Sequence, residues 1–213
     1  MNDLIGNLPF LLGGLVTTLE LAVLSILLSA VLGTLFGIAR LSKRPYLHYP
    51  AVAYIETVRS IPLILVILYL FFVLVDVGYE VSPFWTGVVA LGIVASSYLA
   101  EVVRSGISGV NVGQMEAALS SGLGYRQSMV HVVLPQALRR MAPALVSEFI
   151  KTVKNTSLVA VIGAYEFFDR VNITNSQLLT KPFLVFGFAA VVYFVINFSL
   201  SSVSRFLELR LDV

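Results

Sequence analysis

The stretch Glu116-Ala117-Ala118-Leu119-Ser120-Ser121-Gly122, followed after nine residues by Val132-Val133-Leu134-Pro135, decides how this chain folds. It lies between long apolar segments, where a chain that crosses a membrane has to show polar backbone to something outside the bilayer. Two alanines after a glutamate, then a glycine, make a helical turn almost bare of side chains on one face. Another backbone can approach such a surface closely. The Leu134-Pro135 pair is expected to end one element and to place Pro135 in the first turn of the next helix.

Composition supports a membrane setting. Of the 213 residues, 58% are hydrophobic and 12% charged, with a mean hydropathy of +0.92, against about 25% charged in soluble domains. The net charge of +2 says little, because placement carries the information. The chain has no cysteine, which excludes disulfides, thiolate metal sites and cysteine nucleophiles. Met1-Asn2-Asp3 lacks the basic region of a cleavable signal peptide, so the first apolar stretch is read as a retained helix.

A helix needs roughly 20 apolar residues to cross a hydrocarbon core of about 30 Å. On that measure the chain is a single transmembrane domain over 1–213, an all-α integral membrane protein with about five transmembrane helices. The spans are expected at about 15–39, 49–75, 81–104, 142–163 and 182–204, and 105–141 is read as short surface helices. Arg40, Lys43, Arg44, Arg104, Arg126, Arg139, Arg140, Arg205 and Arg210 fall on one side, and only Arg170 and Lys181 on the other. The positive-inside rule then puts the N-terminus outside and the 105–141 loop and C-terminus in the cytoplasm. Ser25, Ser29, Gly33 and Gly37 recur every four residues in the first span. They read either as a close helix contact, within or between chains, or as ordinary small residues.

The loop resembles the EAA loop of ABC importer permeases, E-A-A-x-x-x-G-x9-I-x-L-P, with Val132 in the isoleucine place. Glu56-Thr57-Val58-Arg59-Ser60-Ile61-Pro62 is similar to the E-x-x-R-G-T-P segment of permeases for polar amino acids, with Ser60 and Ile61 in place of Gly-Thr. Ser97-Tyr98-Leu99-Ala100-Glu101-Val102-Val103-Arg104-Ser105-Gly106-Ile107 resembles their A-Y-x-A-E-x-x-R-x-G-I, and Lys154-Asn155-Thr156-Ser157-Leu158 their K-[D/E/N/S]-T-S-L. The resemblance implies a type I ABC importer permease fold and a dimer with an identical or related chain. It also implies a cytoplasmic ABC ATPase, which binds ATP and Mg, and an external or periplasmic substrate-binding protein. The membrane would be the bacterial or archaeal cytoplasmic one. On this resemblance Glu116, Ala117, Ala118, Gly122, Leu134 and Pro135 couple to the ATPase.

Several charged residues can be read without the family. Glu56 with Arg59, and Glu101 with Arg104, stand three residues apart, so each pair shares a helix face and can neutralise itself. They read as anchors of helix depth or as lining of the inner half of a path. If the fourth span starts near Ala142, Lys151 lies ~13 Å and Lys154 ~18 Å along it at 1.5 Å per residue. A charge near the midplane costs several kcal/mol unless paired or hydrated. Glu148 can offset Lys151, whereas Lys154 has no carboxylate three or four residues away. The expected substrate path is Lys154, Asn155, Thr156, Ser157, Glu56, Arg59, Ser96, Ser97 and Glu101.

His48 and His131 form no local metal motif, and no G-x-x-x-x-G-K-[S/T] phosphate loop occurs, so the chain is expected to bind no metal, ATP or other cofactor itself. No catalytic residue and no nucleic-acid partner are expected. Trp85 reads as an interfacial anchor. The expectation is a permease subunit importing a polar amino acid, neutral or acidic rather than cationic because Asn155 is an amide. The alternative is an ion-gradient-driven transporter or channel using Glu148 or Lys154.

Overall fold

An apolar run, free of proline and charge from Leu21 to Ala39, forms most of the longest described helix. In a computed structural model, which describes residues 6–178 and 182–211, helix α1 covers Leu8–Leu41. At 1.5 Å per residue it is about 50 Å long, enough to cross a bilayer at a tilt or with an end emerging. Its two faces invert the soluble pattern. Ser25, Ser29, Gly33 and Gly37 are buried, while Val23, Leu27, Val31, Leu35 and Ile38 are exposed, as expected where the surrounding solvent is lipid.

The small-residue stripe packs against α4 (Pro83–Ser108), so the contact left open by the sequence is made within one chain. A Cβ at Gly33 would stand 2.6 Å from Leu99 Cδ2 and 2.9 Å from the Ser96 carbonyl, and one at Gly37 2.7 Å from the Ala100 carbonyl. The Ser25 hydroxyl donates to the Val88 carbonyl at 3.3 Å. Small side chains therefore set how near the two axes come.

Between them the chain forms α2 (Pro45–Ser60) and α3 (Leu63–Asp76), which meet at 102°. The stretch 49–75 is thus two bent helices rather than one straight span. Pro62 explains the elbow: it lacks an N–H, and its ring pushes Ile61 into an extended conformation (φ −99°, ψ 129°). Ser60 Oγ donates to the Glu56 carbonyl at 2.7 Å and closes the last turn of α2.

After α4 come α5 (Val112–Ser120) and α6 (Tyr125–Ser128), then a π-helical turn at Met129–Val133 that runs straight into α7 (Leu134–Asn155). As expected, the π-helical turn gives way to α7 at Leu134 and Pro135 sits in the first turn of α7, although the chain runs on without a break. Pro135 cannot donate a helical hydrogen bond, and the widened turn before it absorbs the defect. A 3-10 segment, Thr156–Ile162, continues α7 and stops at Gly163, whose φ is +76°. The short α8 (Phe167–Gln177) and the long α9 (Pro182–Leu211) complete the chain. Lys181 lies outside the described residues, as does the Arg210 side chain.

Among the described residues, α1, α4 and the 182–202 part of α9 are each long and apolar enough to cross a membrane, and the bent pair α2–α3 makes a fourth candidate. Three apolar clusters hold the helices. Ile67, Leu91 and Val159 join α3, α4 and the 3-10 segment. Leu99, Val103, Ala137 and Met141 join α4 to α7. Leu11, Phe167, Val171 and Val185 join α1, α8 and α9.

Candidate translocation cleft and coupling loop

The loop at 111–123 is built locally. Asn111 caps α5, its Oδ1 accepting the Gly113 N–H at 2.9 Å, so the helix starts without tertiary help. Gly122 ends it with φ +86°, in the left-handed region that glycine occupies without steric cost. The Leu123 N–H reaches back to the Ala118 carbonyl at 3.2 Å. Ala118 is the buried residue of this turn, whereas Glu116, Ala117, Leu119 and Gly122 are exposed. Leu134 is half-buried and Pro135 exposed at the start of α7. The loop thus presents a bare, free face.

A second feature opens between the α2–α3 elbow, α4 and α7. It is a cleft of about 350 Å³ lined by Arg59, Ser60, Ile61, Pro62, Tyr98, Glu148, Lys151, Thr152 and Asn155, with Leu63, Leu91, Val94 and Ala95 as its apolar wall. Its volume falls within the usual range for small-molecule sites. Lys151 Nζ bonds Glu148 Oε1 at 2.7 Å. Both cations also flank one ring: Arg59 stands 5.2 Å and Lys151 5.1 Å from the Tyr98 centroid. The described lining holds two cations and one carboxylate, so the cleft keeps one positive charge in excess.

Not all the expected path residues meet here. Arg59 and Asn155 line the cleft, but Lys154 does not. Successive helix positions turn by about 100°, and Lys154 faces a different cleft, between α7 and α9, together with Ser157. Ser96 and Ser97 are buried and satisfy their hydroxyls on the Ile93 and Val94 carbonyls at 2.7 Å each. Thr156 is buried and bonds the Val153 carbonyl at 2.8 Å.

The Glu56–Arg59 pairing expected from spacing is replaced by a tertiary one. Arg40, on α1, reaches Glu56 at 2.9 Å and Glu101 at 3.0 Å. Glu101 also accepts from Arg104 Nε at 2.7 Å, so that local pair forms as spacing predicts. Arg40 thus ties α1 to α2 and α4, while Arg59 is released toward the cleft. Spacing alone shows partners on the same helix and is blind to a cation from another.

A buried carboxyl outside the path also escaped the sequence reading. Glu166 is fully buried and caps α8: its Oε1 accepts the Asp169 N–H at 2.7 Å. Its Oε2 accepts from Thr18 Oγ1 at 3.0 Å and from the Tyr193 hydroxyl at 3.3 Å. Burial pushes this carboxyl above its ordinary range. Glu166 thereby joins α8 to both α1 and α9.

Comparison with known proteins decides the family. The family model described as binding-protein-dependent transport system inner membrane component matches residues 25–213. The chain belongs to this permease family. It is 41% identical over 206 residues to the probable glutamine ABC transporter permease protein GlnP of Bacillus subtilis, covering 96% of this chain and 94% of that one. It is 36% identical to the probable glutamine permease GlnM of the same organism, over 98% and 96% of the two chains. Among solved structures, a chain from the crystal structure of an amino acid ABC transporter with histidines superposes with a TM-score of 0.90 at 32% identity, over 97% and 96% of the two chains. This permease is a multi-pass membrane subunit of an ABC amino acid importer, a transport protein rather than a catalyst. The all-α, type I importer fold expected from the sequence stands.

Proposed function

We propose that this subunit carries a neutral or acidic polar amino acid, glutamine above all, through the cleft at the α2–α3 elbow. The observation that carries the reading is the cleft's charge: Arg59 and Lys151 against Glu148 alone, around Tyr98. A free amino acid brings one carboxylate and one ammonium into a low-dielectric path, and each needs an opposite charge or hydrogen bonds. With Lys151 paired to Glu148, Arg59 is left for the substrate carboxylate. Its planar guanidinium suits that group. The Asn155 amide bonds a polar side chain without selecting a cation. The names of the two Bacillus subtilis relatives agree with this substrate class.

In this reading the exposed face of Glu116 and Ala117, bounded by Gly122, docks on a cytoplasmic ATPase that holds ATP and Mg. A second permease chain closes the path, and an external binding protein delivers substrate. The N-terminus lies outside, and the loop and C-terminus lie in the cytoplasm. Closure of the ATPase pair moves the loops together, and the helices swing the cleft from one side to the other. The Arg40 tie makes α1, α2 and α4 move as one piece.

Competition uptake in vesicles holding the assembled importer tests the site. Arg59→Gln should raise the KM for glutamine more than it lowers the maximal rate, and Asn155→Asp should shift preference toward cationic amino acids. Unchanged KM and preference in both variants would remove the cleft from the path.

A further inference from the structure

The second cleft, along α9, has no role in that account. Tyr193, Asn197, Ser201 and Arg205 follow one another at intervals of four, a polar stripe in an otherwise apolar helix. At 1.5 Å per residue the stripe runs about 18 Å along one face. Lys154 and Ser157 border it from α7 and the 3-10 segment, Ala190, Phe194 and Phe198 supply its apolar lining, and the cleft measures about 530 Å³. Asn197 lies in its floor, 8% exposed, donating to the Tyr193 carbonyl at 2.7 Å, while its Oδ1 has no partner among the described residues.

The charge is one-sided. Lys154 and Arg205 both face the cleft, and among the described residues no carboxylate lines it. The carboxylates nearest in sequence to Lys154 are engaged: Glu148 with Lys151, and Glu166 with Thr18, Tyr193 and the Asp169 N–H. An ammonium within a membrane-spanning region is costly unless an anion or water meets it. The flanks of the cleft, Phe194 and Phe198, are 65% and 53% exposed, an apolar rim that suits acyl chains better than water.

We propose that this cleft holds one anionic glycerophospholipid, its phosphate between Lys154 and Arg205 and its acyl chains against Phe194 and Phe198. Basic pockets between spanning helices recognise such headgroups through the same chemistry. Arg205 already lies 5.9 Å from the Phe198 ring, which holds its guanidinium over the apolar flank. Ser201 gives the headgroup a hydroxyl to bond and Asn197 Oδ1 an acceptor, and the long basic side chains reach it from either end. A bound lipid would add a second link between α9 and α7 beside their direct contact.

The test is native mass spectrometry of the full chain with its ATPase, equilibrated with phosphatidylglycerol and phosphatidylcholine of identical chains. The wild type should retain one phosphatidylglycerol per permease chain with about thirtyfold preference, the sum of two basic contacts. The double variant Lys154→Gln with Arg205→Gln should lose that preference, and so should Ser201→Phe, which fills the cleft and keeps both charges. Lys43→Gln, on the connection between α1 and α2, should retain it. No preference in the wild type, or preference persisting in both the double variant and Ser201→Phe, overturns the proposal. So does displacement by millimolar glycerol phosphate, which would mark a site for free anions. A cross-link from Lys154→Cys to a second permease chain overturns it as well, because a protein would then cover the cleft.

Discussion

Replacing Gly122 tests the coupling loop with a magnitude fixed by backbone geometry. Its φ of +86° lies where a β-carbon crowds the following carbonyl, which costs roughly 1–2 kcal/mol for an L-residue. Among the described residues nothing stands within 4 Å of a Cβ built there, so no clash with them adds to that cost. The strain is relieved by reopening the turn after α5, which displaces the Glu116–Ala117 face. If only the native turn docks, Gly122→Ala weakens ATPase binding by about 5- to 30-fold, at tenfold per 1.4 kcal/mol. Gly122→Val should do worse, because branching narrows the backbone further, and Gly122→Asn should stay near wild type, since asparagine tolerates the left-handed region. Titrating the solubilised permease with its purified ATPase and measuring Kd checks the order Gly, Asn, Ala, Val. Equal Kd across all four, with melting temperatures unchanged, would refute the placement of the docking surface.

Other predictions address packing, charge and sidedness. Gly37→Val should lower the thermal midpoint, because its Cβ would meet the Ala100 carbonyl at 2.7 Å and overpacking costs about 1–3 kcal/mol; Gly187→Val, with open space around it, should not. Glu166 is raised above its ordinary value of 4.5, so its stabilising contribution is complete below the unfolded value and is lost as pH rises through the raised one. The midpoint of the wild type relative to Glu166→Gln should therefore fall as pH rises above that ordinary value, and a constant difference would contradict the assignment. A cysteine at exposed Asn172 should react with an impermeant thiol reagent added outside intact cells, and one at exposed Gln127 only after the membrane is opened; the reverse pattern would invert the topology.

The residues that decided the class were those whose meaning is local. Gly122 and the two alanines before it mark a bare turn without help from elsewhere, whereas the Asn111 cap came from the structure. The four-residue recurrence of Ser25, Ser29, Gly33 and Gly37 pointed to a close contact, although only the structure supplied α4 as its partner. What stayed hidden is tertiary. Glu56 stands three residues from Arg59, yet Arg40 takes it because α1 passes within reach. Lys154 and Asn155 are neighbours in one motif but face different clefts, since adjacent helix positions diverge by about 100°. The elbow at Ser60-Ile61-Pro62 was legible in principle, because Pro62 disfavours helical geometry at Ile61. An uninterrupted apolar run masked it. Tyr98 is an unremarkable aromatic in sequence and becomes informative only with Arg59 and Lys151 beside its ring.

The central claim is that transport through this subunit is powered by a docked ATPase and not by an ion gradient. Uptake of labelled glutamine into vesicles reconstituted with the permease, its ATPase and its binding protein tests it most directly. The account predicts uptake when ATP is enclosed on the ATPase side, none with an inward proton or sodium gradient alone, and loss of the ATP-driven signal in Gly122→Val. Accumulation driven by the gradient without ATP would contradict it, and would shift the Glu148–Lys151 pair from path lining to ion coupling.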